Sequence, residues 1–307
     1  MTRLNPAIDS SKPATVLSVG AISKTYFARG KQKEVLRDVT FEVYSNEFVC
    51  VVGPSGAGKT TLLRCLAGLL PVSAGQILFE GQRITAPPEK LALVFQDYSR
   101  SLLPWLTISS NVSLPLLRNK ALSKTEKAQR AAEALAAVGL ADCGNLYPWQ
   151  LSGGMQQRAA IARALAYRPD VLLMDEPFAS VDAQTRAELE DLILEVHRRF
   201  AVTVVLVTHD IDEAVYLADR VIVVLGSPSS VSEIVPVGLP RPRDQVTTKT
   251  HPGFGVLRSH ILQGIWRLKA DEVLQVTSDG PDPSPAGVVA NAPINPLSPR
   301  EFNEHVR

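Results

Sequence analysis

The sequence predicts an α/β fold built on a largely parallel sheet, and three observations carry that prediction. Short apolar, β-branched runs recur without polar alternation, as expected of strands covered on both faces. Between "LALVF" and "DVLLMD" the texture changes to about seventy residues of helical signal. A glycine-rich loop stands between an apolar strand and a helix in "VCVVGPSGAGKTTLLRCLAGLL".

In chain order the strands read as "VLSVGAI", "VTFEVY", "EFVCVVG", "QILFEG" and "LALVF", then "DVLLMD", "VTVVLVTH" and "RVIVVLG". The helical stretch between them contains "SKTEKAQRAAEALAAVGL", where Ser123 and Glu126 have capping-box spacing and Gly139 marks the end of the helix. It reads as a helical insertion in an α/β core, over about residues 97–168. "SEIVPVGLPRPRD" reads as a shorter strand-like piece, followed by an amphipathic helix in "GFGVLRSHILQGIWRLKA". From Ser278 onward proline and small residues dominate, which predicts a mobile tail. The expected divisions are an N-terminal extension over 1–14, a main domain over 15–240, a C-terminal extension over 241–277 and the tail over 278–307.

The 307 residues are 45% hydrophobic and 21% charged, enough to bury a large core. Lys plus Arg number 32 against 31 Asp plus Glu, so there is no overall positive field and no nucleic-acid partner is expected. Cys50, Cys65 and Cys143 lie far apart without a C-x-x-C pair, which fits a reducing compartment. Apolar runs such as "VTVVLV" are strand-sized, so the chain is not expected to span a membrane by itself.

The loop begins at Gly53, continues through Pro54, Ser55, Gly56 and Ala57, and closes with Gly58, Lys59, Thr60 and Thr61. Its glycines let backbone amides approach phosphate oxygens, Lys59 supplies a point charge, and the Thr60 hydroxyl can ligate Mg²⁺. Asp175 and Glu176 close the strand in "DVLLMDEP"; Asp175 can hold the metal through water, and Glu176 can orient and deprotonate an attacking water. Adjacent acids at a strand end also occur as a solvated turn, but the complete loop upstream favours chemistry. His209 ends "VTVVLVTH", a helix and a strand after the acid pair, where it can reach the γ-phosphate or serve a structural role.

A second glycine-rich helix start, "LSGGMQQRAAIARAL", has Ser152, Gly153 and Gly154 but no lysine after them. Within one subunit it is redundant. Two copies meeting head to tail would make it useful, because each half-site would complete the γ-phosphate site of the other copy and borrow its lysine.

Together these residues resemble the ATP-binding subunit of ATP-binding-cassette transporters, over about Tyr26 to Leu225. The resemblance implies a P-loop NTPase with a RecA-like core and mixed β-sheet, an antiparallel β subdomain and an inserted α-helical subdomain, with ATP and Mg²⁺ as its ligands. Leu151, Ser152, Gly153, Gly154 and Met155 match the family signature, with Met155 where glutamine is more frequent. Tyr26 matches the aromatic that stacks on adenine, though a strand-end tyrosine also serves ordinary packing. Gln96 matches the glutamine that senses Mg²⁺ and water at the hinge to the helical insertion. Asp182 matches the acid of the loop crossing the dimer interface, although a helix N-cap is an equally good local role.

Within that family, "QDYSRSLLPWLTISSNV", "YPWQLSGGMQQR", "THDIDEAVYLADRVIVV" and "LPRPRD" are similar to importer subunits for nitrate, sulfonate, taurine and related compounds. The implied partners are a second copy of the chain, transmembrane permease subunits and, indirectly, an extracytoplasmic solute-binding protein, with a peripheral location on the cytoplasmic face of the inner membrane. "SLLPWL" can dock a membrane partner or be buried in the insertion. A soluble cassette ATPase acting on nucleic acid or ribosomes is the alternative; such relatives usually carry two cassettes or a long coiled-coil insertion, and neither occurs in this sequence.

Overall fold

The computed structural model describes residues 14–28, 30–97 and 101–278. The expected N-terminal extension short of residue 14, residues 98–100 of the "QDYSRSLLPWL" stretch, and the tail past Ser278 lie outside the described residues.

Two 14-residue strands, β1 (Thr15–Ala28) and β2 (Lys31–Tyr44), open the fold as an antiparallel pair. Both run longer than their apolar stretches suggest. The "KQKEVLR" half of β2 is exposed at its first three positions, so it carries no apolar signal even though it pairs as strand. The chain then enters a second sheet with β3 (Phe48–Val52), buried at all five positions, before helix α1 (Lys59–Leu66). Strands β4 (Ala74–Phe79) and β5 (Gln82–Arg83) return to the first sheet, whose order is β2-β1-β4-β5.

The second sheet gains β6 (Leu91–Val94), β7 (Val171–Asp175), β8 (Thr203–Thr208), β9 (Arg220–Leu225) and β10 (Ser230–Pro236). Its order is β10-β9-β3-β8-β7-β6, parallel except for the β10 edge. One face, with Val49, Val51, Val205 and Val207, packs on α1 and the small sheet; the other, with Cys50, Met174, Val204 and Leu206, packs on helices. Cover on both faces is the reason these strands lack polar alternation.

Between β6 and β7 lie helices α2 (Ile108–Ser113), α3 (Lys124–Ala137) and α4 (Gly153–Ala166). Ser123 and Glu126 form the expected capping box on α3, and Gly139 turns away at φ +72°. "SLLPWL" divides: Leu102 is buried and Trp105 is exposed. The segment is held by the fully buried Asn111, whose carbonyl accepts from the Leu103 amide at 2.7 Å and whose amide donates to the Leu103 and Leu106 carbonyls.

After β7 come α5 (Ala183–Phe200) and α6 (Ile211–Leu217), and after β10 comes α7 (Pro252–Ser278). The strand-like "SEIVPVGLPRPRD" is strand only as far as Pro236. Beyond it Arg241 pairs with Asp219 at 2.6 Å and Arg243 donates to the Ala218 carbonyl, which pins an irregular segment across the end of α6. No helix among the described residues is long and apolar enough to cross a membrane.

Glu213 of α6 is buried and accepts from Thr208 Oγ1 at 2.6 Å. Burial pushes its carboxyl from 4.5 up to about 7, against the opposing pull of the Thr208 hydrogen bond. A carboxyl held above its unfolded value takes up a proton on folding, so the stability it contributes is complete below pH 4.5 and lost as pH rises through about 7. Glu213→Gln should therefore change stability little near pH 5 and raise it near pH 8 by on the order of 1–2 kcal/mol. Urea unfolding at the two pH values measures this, and an equal change at both would contradict it.

Candidate active site

Hydrogen-bond register sets the site. Val52 of β3 lies opposite Thr208 of β8, and Val207 of β8 lies opposite Asp175 of β7. Gly53, His209 and Glu176 therefore leave the sheet at neighbouring points on its carboxyl edge, where open α/β sheets bind ligands.

The loop needs glycine for two separate reasons. A Cβ on Gly53 would stand 2.3 Å from the Val224 carbonyl oxygen, so the backbone is pressed against β9. Gly58 has φ +73°, and a Cβ there would meet Val35 Cγ1 at 2.7 Å. Pro54 and Ala57 close the turn through an Ala57 amide to Pro54 carbonyl bond of 3.2 Å, and Ser55 and Gly56 stay exposed at its crest.

Lys59 opens α1, buried, and its Nζ donates to the Gly53 and Pro54 carbonyls at 2.8 and 3.0 Å. Burial lowers its pKa, while Glu176 and Asp175 act in the opposite direction. The following helix start presents free amides and the positive end of a dipole, so loop, lysine and helix together form a cradle for an anion. Tyr26 borders it, partly exposed, with its hydroxyl 3.3 Å from Thr61 Oγ1.

Thr60 Oγ1 donates to Asp175 Oδ1 at 3.1 Å, and burial raises the Asp175 carboxyl against that bond. A hydroxyl and a carboxylate side by side are hard oxygen donors, the set that suits Mg²⁺. Glu176 adopts a left-handed φ of +42°, held by its amide donating to the Val207 carbonyl at 2.8 Å. That turn costs about 1–2 kcal/mol. Around its carboxylate stand His209 Nδ1 at 3.1 Å, Gln96 Nε2 at 3.3 Å and Lys59 Nζ at 3.9 Å. The structure thus gathers Lys59, Thr60, Gln96, Asp175, Glu176 and His209 into one cluster, a geometry able to bind a triphosphate and orient water toward it.

The signature stands apart. Among the described residues no hydrogen bond or ion pair joins residues 151–155 to that cluster. Leu151 is buried, Ser152 caps α4 with Oγ 3.4 Å from the Met155 amide, Ser152 and Gly153 are exposed, and Met155 packs on the core. Gly154 is buried, and a Cβ there would meet Thr185 Cγ2 of α5 at 2.5 Å, a packing demand the phosphate-loop analogy did not supply. Asp182 caps α5, accepting from the Gln184 and Thr185 amides at 3.1 and 3.0 Å, and its bonds to Thr185 hold its carboxyl below the usual range.

Sequence reasoning missed Arg186. From α5 it reaches Asp210 at 3.5 Å and Glu213 at 3.6 Å, tying the helix capped by Asp182 to the one that follows His209. Its spacing of one helical turn from Asp182 was the available signal.

A profile of the family described as ABC transporter matches residues 36–179. The aliphatic sulfonates import ATP-binding protein SsuB of Bacillus cereus is 38% identical over 80% of this chain and 94% of its own length. The chain belongs to the ABC transporter ATP-binding family. An ABC transporter ATP-binding protein of Methanocaldococcus jannaschii, MJ0412, is 45% identical over 84% of this cassette and 93% of itself. The bicarbonate transport protein CmpC of Synechocystis is 41% identical over 80% of the cassette, which spans only 37% of that longer relative. A dimeric post-hydrolysis structure of the cassette MJ0796 with ADP and phosphate aligns at TM-score 0.64, 33% identity, 72% of this chain and 98% of that one. The cassette is an ATP-binding ATPase of the transporter class.

Gly53→Ala should destabilise the cassette by about 3 kcal/mol, because backbone cannot yield to a Cβ at that contact. Gly56→Ala, with open space but φ +84°, should cost about 1 kcal/mol. Denaturant unfolding ranks the two, and equal losses would contradict the role given to Val224.

Proposed function

We propose that two copies of the cassette close head to tail around two Mg-ATP and use hydrolysis to drive uptake of a small anion through permease subunits. The observation that carries this reading is the separation of a phosphate loop with its lysine and acid pair from a second, lysine-less glycine-rich helix start.

In this reading the loop from Gly53 to Thr61 holds the phosphates through its amides, those of Ser55 to Thr61, and through Lys59, and Tyr26 stacks on the base. Glu176 takes the proton of the attacking water, with His209 and Gln96 fixing its carboxylate. Thr60, Gln96 and, through water, Asp175 would hold Mg²⁺, whose charge would offset that developing on the phosphates. Ser152, Gly153 and Gly154 contact the γ-phosphate in the opposite copy, with Leu151 and Met155 anchoring that turn. Asp182 lies at the crossing between copies.

Closure moves the helical elements between β6 and β7 and rocks the permease. The cargoes named for two relatives, bicarbonate and aliphatic sulfonates, are small anions, and nitrate and taurine belong to the same chemical range. An extracytoplasmic solute-binding protein would deliver the cargo, placing the cassette on the cytoplasmic face of the inner membrane.

Glu176→Gln should keep ATP affinity and lose at least about a hundredfold in turnover. A strain lacking the gene, tested with labelled sulfonate, bicarbonate, nitrate and taurine, should lose one uptake, restored by the natural chain and not by Glu176→Gln. Four unchanged uptakes would end the cargo reading.

Ser152→Arg should leave nucleotide on the phosphate loop but block closure. Mixed with Lys59→Ala, it should recover at most one of two composite sites; recovery of both, measured as ATP hydrolysed per dimer, would contradict the shared geometry.

A further inference from the structure

The helix after His209 is too short to hold itself. α6 has seven residues, fewer than an isolated helix needs, so its place depends on what it packs against. His209 lies between the last residue of β8 and Asp210, the N-cap of α6, and the direction of its side chain follows from where α6 sits.

Acidic groups crowd that helix. Asp212 and Glu213 lie in its first turn, Asp210 caps it, and Glu190 and Asp191 of α5 face its end. Glu190 is 2% exposed, and a buried carboxylate without a cation is strongly unfavourable. Among the described residues three cations pair with this group: Arg186 from α5, and Lys249 and Arg258 from the chain after β10.

Lys249 Nζ lies 3.1 Å from Glu190 Oε2 and 4.9 Å from the centre of the Tyr216 ring, while Tyr216 donates to Asp191 at 2.5 Å. Gln245 Nε2 lies 3.0 Å from both Glu190 Oε2 and Asp191 Oδ1. Arg258 of α7 reaches Asp212 at 2.6 Å. Phe254, Ile261 and Ile265 of α7 enter the same apolar cluster as Ala214, Val215 and Leu217 of α6. These anchors all lie past residue 179, where the match to the family profile ends.

We infer that Lys249 and Arg258 are positioning residues for ATP hydrolysis: the segment after β10 clamps α6 and thereby holds His209 against Glu176. The segment is part of the catalytic unit, and its loosening slows the chemical step without weakening nucleotide binding. The inference rests on the hydrolytic role proposed above for His209.

The test uses the full chain and measures kcat and KM for ATP, together with the ¹H–¹³C correlation of the His209 imidazole, assigned by its loss in His209→Ala. Lys249→Met combined with Arg258→Ala should lower kcat at least about fivefold with KM within twofold, and should shift the His209 signal. Lys249→Arg should retain most of the natural kcat, because it keeps the cation beside Glu190. If Lys249→Met fails to fold, Arg258→Ala alone, at a half-exposed pair, carries the test with a smaller loss of kcat and the same shift.

An unmoved His209 signal with natural kcat overturns the clamp. So does a rise in KM that matches the fall in kcat and that Lys249→Arg does not spare, since that marks a general structural loss. Natural kcat in His209→Ala is a separate result: it overturns the hydrolytic reading, while a shifted His209 signal in the clamp variants still supports the positional contact.

Discussion

The parallel register of β3, β8 and β7 is the constraint from which the site follows. It places Val52 beside Thr208 and Val207 beside Asp175, so three strands deliver their next residues to one edge. A slip of one residue in β7 would turn Asp175 to the opposite face and carry it away from Thr60. Burial on both faces makes such a slip expensive, because every inward valine or leucine would trade its partners. The precision of the acid pair is thus inherited from the hydrophobic interior of the sheet.

Glu176 depends on that register more than any other residue. Its left-handed turn is tied by the bond from its amide to Val207, and the turn carries the carboxylate back over the sheet edge to His209, Gln96 and Lys59. Strained backbone at such a point is stable only where the surroundings over-determine it. The same economy appears at Gly154, where contact with Thr185 fixes the start of α4 on α5, and Arg158 of α4 reaches Glu188 of α5 at 3.1 Å. Signature helix and Asp182-capped helix are therefore packed against each other at this end.

The local motifs were legible because each is short and its physics is local: loop glycines, a capped helix at Ser123, an acid pair ending an apolar strand. The buried strands were legible for the same reason, since cover on both faces writes itself into composition. What the sequence concealed is contact across distance. The outer half of β2 pairs through its backbone and leaves no apolar trace. Asn111 appears as one polar letter in a helical stretch, yet holds the turn between Leu103 and Thr107. Arg186, Lys249 and Glu190 are ordinary surface-type residues until the fold buries Glu190, brings Lys249 to it and sets Arg186 between Asp210 and Glu213. Gly154 stands out in the sequence for its open amides, whereas its contact with Thr185 exists only in the fold.

Lys59 shows how the site can be stable before it is filled. Its ammonium is buried, and the Gly53 and Pro54 carbonyls satisfy it from within its own loop while Glu176 lies at the edge of ion-pair range. Without these partners a buried cation would open the loop or lose its proton. A phosphate entering the cradle brings negative charge to the same ammonium and competes with Glu176 for it. Binding would then leave the carboxylate with Gln96 and His209, two groups that can orient it without drawing as heavily on its charge. In the proposed function the two duties of the edge, holding phosphate and activating water, are linked through one lysine: charge supplied by the nucleotide would relieve Glu176 of its neutralising role as it becomes a base.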